Sequence, residues 1–231
     1  MKKISKAIVL SCVLSLTACS NLWFEGKGSS ADTAASSRNF ALPRPAFEMT
    51  PEVQSELVQF TRRDRAFIEG SLDRMYADHA AVYSVFNKQG LPSELISVAM
   101  VESRFVFDAR SRAGAVGLWQ LMPATARSFG LRVDSFHDER KDPVKATYAA
   151  SGLLRELYTQ FGDWELALAA YNAGPATIRR AIARTGSRHF WTLARRGLVR
   201  NETRRFVAKV VAASIIGKSP KTYGFNAVAI G

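Results

Sequence analysis

The stretch Leu91-Pro92-Ser93-Glu94-Leu95-Ile96-Ser97-Val98-Ala99-Met100-Val101-Glu102-Ser103-Arg104-Phe105 decides the fold class. Pro92-Ser93-Glu94 reads as a helix start, and Glu94 near that start is explained by capping. Leu95, Val98 and Ala99 lie seven, four and three positions before Glu102, with Leu91 also at helical spacing. That spacing puts the carboxylate of Glu102 on the apolar face of a helix. A carboxylate there loses water, so its protonated form is easier to populate near neutral pH. A protonated carboxyl can donate to a leaving oxygen, which cleavage of a glycosidic bond requires. The same spacing also fits a glutamate at the edge of the core, paired with Arg104 or another arginine.

Working outward, the periods remain helical. Thr50-Pro51-Glu52-Val53 reads as an N-cap followed by proline at the first helical position. Ile68, Leu72, Met75, Tyr76, His79, Val82, Tyr83 and Phe86 form one apolar stripe on a long helix closed by Asn87-Lys88-Gln89-Gly90. His79 in that stripe is a packing residue in this reading. Further helices are expected from Leu91 to about Ser103, 123–129, Pro143 to about Gln160, 164–171, 175–184 and 202–216. Strand-like alternation is weak, so the expectation is a mainly helical domain with a helical N-terminal extension. No His, Cys or carboxylate cluster has metal-ligand spacing, so neither a metal nor an organic cofactor is expected.

The N-terminus has a different character. Lys2, Lys3 and Lys6 precede a short apolar core from Ala7 to Leu16, too short for an ordinary membrane span. Leu16-Thr17-Ala18-Cys19 resembles a lipobox, so residues 1–18 read as a lipoprotein signal peptide and Cys19 as the lipid attachment point. Ser20 follows the cysteine in place of an aspartate, which points to an outer-membrane lipoprotein facing the periplasm. Residues 19–50, rich in Ser, Ala, Gly and Pro, read as a flexible tether. Residues 51–90 are the helical extension, 91–217 the catalytic domain and 218–231 a tail. Of 231 residues, removal of 18 leaves 213, with Cys19 the single cysteine, so a core must form by packing alone.

Net charge is formally +12, and about +9 without the three leader lysines. Arg62, Arg63, Arg65, Arg179, Arg180, Arg195, Arg196, Arg204 and Arg205 lie in separate elements. No basic run with interleaved aromatics forms a stacking platform, and the expected address argues against nucleic acid. An anionic polymer of the envelope or an anionic lipid surface fits better.

Three ordered blocks carry a resemblance. Val101-Glu102-Ser103-Arg104-Phe105 is followed by Ser111-Arg112-Ala113-Gly114-Ala115-Val116-Gly117-Leu118-Trp119-Gln120-Leu121-Met122-Pro123, and then by Ala169-Ala170-Tyr171-Asn172-Ala173-Gly174. Together they resemble the goose-type-lysozyme-like catalytic domain of lytic murein transglycosylases. Asp138-Glu139-Arg140-Lys141-Asp142-Pro143 and Asn201-Glu202-Thr203-Arg204-Arg205-Phe206-Val207 look most like the membrane-bound D-type branch. The resemblance covers roughly residues 90 to 215.

It implies that Glu102 protonates the oxygen of the β-1,4 bond between N-acetylmuramic acid and N-acetylglucosamine. The resulting carboxylate then takes the proton of the muramoyl C6 hydroxyl, which attacks C1 and closes a 1,6-anhydro ring. Attack from within the same sugar starts at high effective concentration. Ser103, Gln120, Met122, Tyr171 and Asn172 are the implied supporting or substrate-binding residues. Ser103 is expected to fix the carboxyl or bind an N-acetyl group, the alternative being a serine that satisfies its own backbone. Gln120 bonds sugar or loop backbone. Met122 and Pro123 shape the groove wall. Tyr171 is expected to hold Glu102 through its hydroxyl, and Asn172 to bind an acetamido carbonyl or cap a turn. Trp119 is read as core packing, and Gly114 and Gly117 as sites of close backbone approach. Asp108 sits in the loop after Glu102 and is a candidate second carboxylate. Glu202 is read as an organiser of helix termini or of Tyr and Arg contacts.

The sequence departs from the family pattern at Pro175, often acidic, and Phe206, often tyrosine. The D-type branch also implies carbohydrate-binding repeats after the catalytic domain, and none follows in this sequence. The expected function is non-hydrolytic cleavage of peptidoglycan, whose glycan strands are the expected partner beside the membrane. The rivals are a hydrolytic muramidase and a catalytically impaired peptidoglycan-binding lipoprotein.

Overall fold

A computed structural model describes residues 41–227. The leader, Cys19 and the tether up to residue 40 lie outside the described residues, as do the side chain of His79 and the end of the tail. Among the described residues nine α-helices follow in order: α1 (Pro51–Arg62), α2 (Arg65–Lys88), α3 (Ser97–Ser103), α4 (Pro123–Ser128), α5 (Pro143–Phe161), α6 (Trp164–Ala173), α7 (Pro175–Thr185), α8 (Phe190–Arg195) and α9 (Asn201–Lys218). Isolated β-bridges, not strands, tie the connecting loops. No helix among the described residues is long and apolar enough to cross a membrane.

Helix starts follow local chemistry. Thr50 accepts from the Val53 amide at 3.3 Å and Asp142 accepts from the amides of Val144 and Lys145, each ahead of a proline at the first helical position. Pro123 and Pro175 open α4 and α7 in the same way. Helix α8 is absent from the sequence expectation. It is only six residues long, rich in aromatics, and capped by the His189 imidazole accepting from the Thr192 amide. The expected helix from Leu91 begins instead as a 3-10 turn (Ser93–Ile96) that becomes helical at Ser97.

Helix α6 is buried from Trp164 to Ala170, and α9 is buried on most of its circumference. An element apolar on nearly every side belongs at the centre of a domain. Helix α9 packs against α1, α3 and α6, while α5 packs on α2 and α6. Val53, Phe60, Ile68, Leu72, Val82 and Phe86 of the extension join the same core as Leu95, Trp119, Leu154 and Val210. The extension therefore shares a core with the segment after it. Tyr76, placed in the apolar stripe by spacing, is 55% exposed.

Two expectations need correction. Residues 42–50 are not tether but an extended strap bonded across the domain. The Leu42 amide donates to the Gly90 carbonyl, the Trp164 indole to the Pro43 carbonyl, and the Glu48 amide to Glu165. The prolines that spoil regular structure here leave carbonyls and side chains free to bond elsewhere. Glu94, expected to be explained by helix capping, is instead held by ion pairs. It is 7% exposed, and Arg44 of the strap reaches it at 2.7 Å, with Lys218 of α9 at 3.6 Å.

Candidate active site

Glu102 occupies the last turn of α3, where the chain is forced to turn. Arg104 and Phe105 adopt left-handed backbone, with φ of 57° and 62°. Such a conformation costs a non-glycine residue about 1–2 kcal/mol. Burial of Phe105 and a bond from Arg74 to the Arg104 carbonyl at 2.7 Å hold it in place. Ser103 spends its hydroxyl on the backbone, donating to the Ala99 carbonyl at 3.1 Å and accepting from the Val106 amide at 3.2 Å. It organises the turn, and the contact with the carboxyl or an N-acetyl group favoured from the sequence is not among its bonds.

Arg104 does not neutralise Glu102. Its guanidinium lies over the Phe67 ring, 5.1 Å from the centroid. No cation pairs with Glu102 among the described residues. Though the residue keeps part of its surface open, protein crowds its carboxyl. Burial first, then the charge of Glu202, push its pKa up to about 8. At pH 7 such a group is protonated by about ten to one. Glu202 stands in the first turn of α9, which packs on α3. The second carboxylate acting on Glu102 is therefore Glu202, not Asp108, which is exposed on its loop.

The loop from Ser111 to Met122 is held by Arg140. This buried guanidinium grips both oxygens of Asp138, at 2.8 and 2.9 Å, and donates to the carbonyls of Gly114 and Leu121. That fork geometry is particular to arginine. Backbone passes so close that a Cβ on Gly117 would stand 1.9 Å from the Arg140 carbonyl oxygen. Gly117 also sits at φ +84°, so only glycine fits. Gly114 needs its φ of +90° but meets no such contact. Gln120 takes φ 47° and donates its amide to the carbonyls of Ala109 and Gly117, so it bonds loop backbone. The non-glycine residues with left-handed backbone among the described residues, Arg104, Phe105 and Gln120, all lie in or beside this loop system.

Trp119 is fully buried, stacks on Phe86 at 5.5 Å, and donates to the Thr147 hydroxyl at 2.9 Å. Its carbonyl accepts from the Tyr171 hydroxyl at 2.6 Å. The hydroxyl proton expected for Glu102 is thus committed to the loop. Tyr171 nonetheless lies beside the acid, since burial and then the Glu102 charge hold its pKa well above the usual phenol value. Asn172 accepts from the Thr203 hydroxyl at 2.9 Å, joining the end of α6 to the start of α9. Its amide nitrogen stays available to donate. Met122 is 39% exposed just ahead of α4. Pro175 opens α7, and Phe206 is buried on α9.

The structure thus gathers Glu102, Tyr171, Asn172 and Glu202 where α3, α6 and α9 meet, with the loop carrying Gln120 joined on through the Trp119 carbonyl. No group of three metal-holding side chains occurs among the described residues.

Residues 85–194 match the model of the transglycosylase SLT domain. The chain is 40% identical over 142 residues to membrane-bound lytic murein transglycosylase D of Escherichia coli, an alignment covering 59% of this chain and 30% of that protein. This chain thus aligns with less than a third of that relative's length. Among solved structures it resembles an inactive glutamate-to-glutamine mutant of the lytic transglycosylase Slt from Pseudomonas aeruginosa. The TM-score is 0.53 at 30% identity, covering 67% of this chain and 25% of that one. The 70 kDa soluble lytic transglycosylase of Escherichia coli shares the fold at a TM-score of 0.54 and 23% identity, covering 70% of this chain and 30% of that one. Residues 85–194 thus resemble a transglycosylase SLT domain, and the mainly helical fold is similar to that of the solved lytic transglycosylases.

Proposed function

We propose that this protein is a lytic murein transglycosylase, cleaving the β-1,4 bond between N-acetylmuramic acid and N-acetylglucosamine without water. The observation that carries the reading is Glu102, a partly exposed carboxyl without a cationic partner among the described residues, whose surroundings push its pKa up to about 8. Its proton passes to the glycosidic oxygen as the bond to C1 breaks. The carboxylate left behind is disfavoured by burial and by Glu202, so it is a ready base for the C6 hydroxyl proton. The C6 oxygen bonds to C1, and Glu102 ends as it began. The inactivity of the glutamate-to-glutamine mutant of the similar Slt from Pseudomonas aeruginosa supports a need for a glutamate there, which Glu102 would meet here.

Around it, Asn172 offers an amide donor suited to an acetamido carbonyl. Met122 forms groove wall. Ser103, Gln120 and Tyr171 support the reaction by fixing the turn and loop that border the acid.

One observation favours a second reading. Glu202 supplies a second carboxylate near the acid, and a water activated there would give a hydrolytic muramidase. Digestion of purified peptidoglycan, with released sugar ends read by mass spectrometry, separates the two. Ends in 1,6-anhydro-N-acetylmuramic acid, absent with Glu102→Gln, support the transglycosylase. Hydrated reducing ends refute it in favour of the muramidase.

The address belongs to the same proposal. The leader and Leu16-Thr17-Ala18-Cys19 support a lipidated Cys19 in the outer membrane, facing the periplasm. The membrane-bound relative is consistent with it. Intact-protein mass spectrometry should find acyl chains on Cys19 and lose them in Cys19→Ser. An unmodified cysteine would refute the anchor.

A further inference from the structure

The charge of this chain is segregated. From Leu166 to Gly231 the sequence holds twelve lysines and arginines and a single acid, Glu202. The preceding 165 residues hold twenty cations and nineteen acids, so nearly all of the net charge of +12 sits in the last 66 residues. The cations scattered along this segment share elements that touch. Helix α7 packs on α8, α8 packs on α9, and both α7 and α9 pack on α6. Helix α7 buries Ile178 and Ala181 and turns Arg179, Arg180 and Arg184 outward. Arg195 and Arg196 are exposed at the end of α8. Two other cations of the segment do have carboxylate partners, Arg205 with Glu56 and Lys218 with Glu94. Arg179, Arg184, Arg195 and Arg196 have no such partner among the described residues, and Arg180 reaches only the Thr177 hydroxyl at 3.4 Å.

The position of this face relative to the cleft defines its partner. Helix α7 starts three residues after Asn172, and the first turn of α9 carries Glu202 and bonds Asn172 through Thr203. Helices α7 and α9 therefore both begin beside Asn172, and α8 packs on each of them. Arg184 lies about 14 Å along α7 from its first residue, at 1.5 Å per residue. A polymer that left Glu102 along α7 and carried carboxylates along its length would meet cations on helices α7, α8 and α9, whose own sequences hold no acid but Glu202.

We propose that the outer face of α7 and α8 binds the free carboxylates of the peptide stems attached to the glycan, so that the protein selects peptide-bearing strands over bare glycan. This rests on the proposed activity at Glu102 and extends it to the part of the substrate outside the cleft.

The test compares retention of the full-length protein on intact sacculi and on glycan strands stripped of peptides by an amidase. Glu102→Gln is included so that the wall is not consumed. At about 50 mM salt, retention on sacculi should exceed that on stripped strands by about fivefold or more. The gap should close at about 500 mM, where the Debye length is near 4 Å. The charge reversal R179E/R180E/R184E, confirmed folded by circular dichroism, should bring sacculus retention down to the stripped-strand level. Equal retention on both substrates, or no effect of charge reversal on a folded protein, overturns the inference. So does equal retention on phosphatidylglycerol vesicles and sacculi with no dependence on peptides, which would assign the face to a lipid surface. If the wild-type protein cuts neither substrate while the retention pattern holds, the proposed activity fails and the carboxylate-binding face stands.

Discussion

Glu94 and Glu102 stand eight residues apart on one helical segment, and spacing alone hardly separates them. The structure gives them opposite surroundings. Glu94 is met by Arg44 from the strap and Lys218 from α9. Glu102, more open to solvent, has no cation at all, and the nearest influential charge is the carboxylate of Glu202. Burial is common to both, and what differs is which distant elements arrive beside them. A buried carboxylate given a counter-charge ties elements together, whereas one given a like charge is left holding a proton.

The largest effect expected from this contrast is on catalysis. Glu102→Gln should lower turnover of peptidoglycan about a thousandfold or more while leaving the fold intact, because an amide has no proton to give. Glu94→Gln should leave turnover per folded molecule unchanged. Measured rates on folded protein would break the comparison if the two variants lost activity alike.

Next in size is the loop. Arg140→Ala removes a buried guanidinium and strands Asp138 and two carbonyls, a loss of about 3 kcal/mol or more. Denaturant midpoints should show it, and Arg140→Lys should not restore it, since an ammonium cannot reproduce the fork.

The sharpest contrast is one of sign. Unfolded Glu102 ionises near the ordinary 4.5, the folded one near 8. The folded state therefore holds the proton more tightly, and its stability falls as pH rises from about 4.5 to about 8. Glu102→Gln avoids that loss, so its melting temperature should match wild type near pH 4 and exceed it near pH 8. Glu94→Gln should melt lower near neutral pH, by about 1–2 kcal/mol in stability, because an ion pair with a buried member is weakened. Thermal melts giving both variants the same sign at pH 8 would break the account.

The smallest effect concerns Glu202. Glu202→Gln removes repulsion from Glu102, lowers its pKa, and should move the alkaline limb of the pH–rate profile to lower pH. The shift should be smaller than the displacement caused by burial, since burial is the larger cause.

The helical plan was legible because its signals are local. Thr50-Pro51, Pro143 and Pro175 mark starts, and apolar periodicity marks faces. The place of Glu102 on an apolar helix face was legible in the same way, from Leu95, Val98 and Ala99. What was not legible depends on residues far apart in sequence. Arg44 reaches Glu94 across fifty positions, and Pro43 accepts from Trp164 across 121. Nothing in a Pro-rich segment announces such bonds. Tyr171 was placed near the acid, but its hydroxyl proton goes to the Trp119 carbonyl, a backbone group without a sequence signature. Glu202 was noticed as part of a motif, but its effect on Glu102 comes from the packing of α9 on α3. The left-handed backbone at Arg104, Phe105 and Gln120 could not be foreseen, because those residue types do not favour it.

The central claim is that Glu102 is a protonated acid at the working pH. Its most direct test is a titration of the Glu102 side-chain carboxyl by carbon NMR, assigned by loss of the signal in Glu102→Gln. The account predicts a midpoint near 8, falling when Glu202 is replaced by glutamine. A midpoint near 4.5 would contradict it.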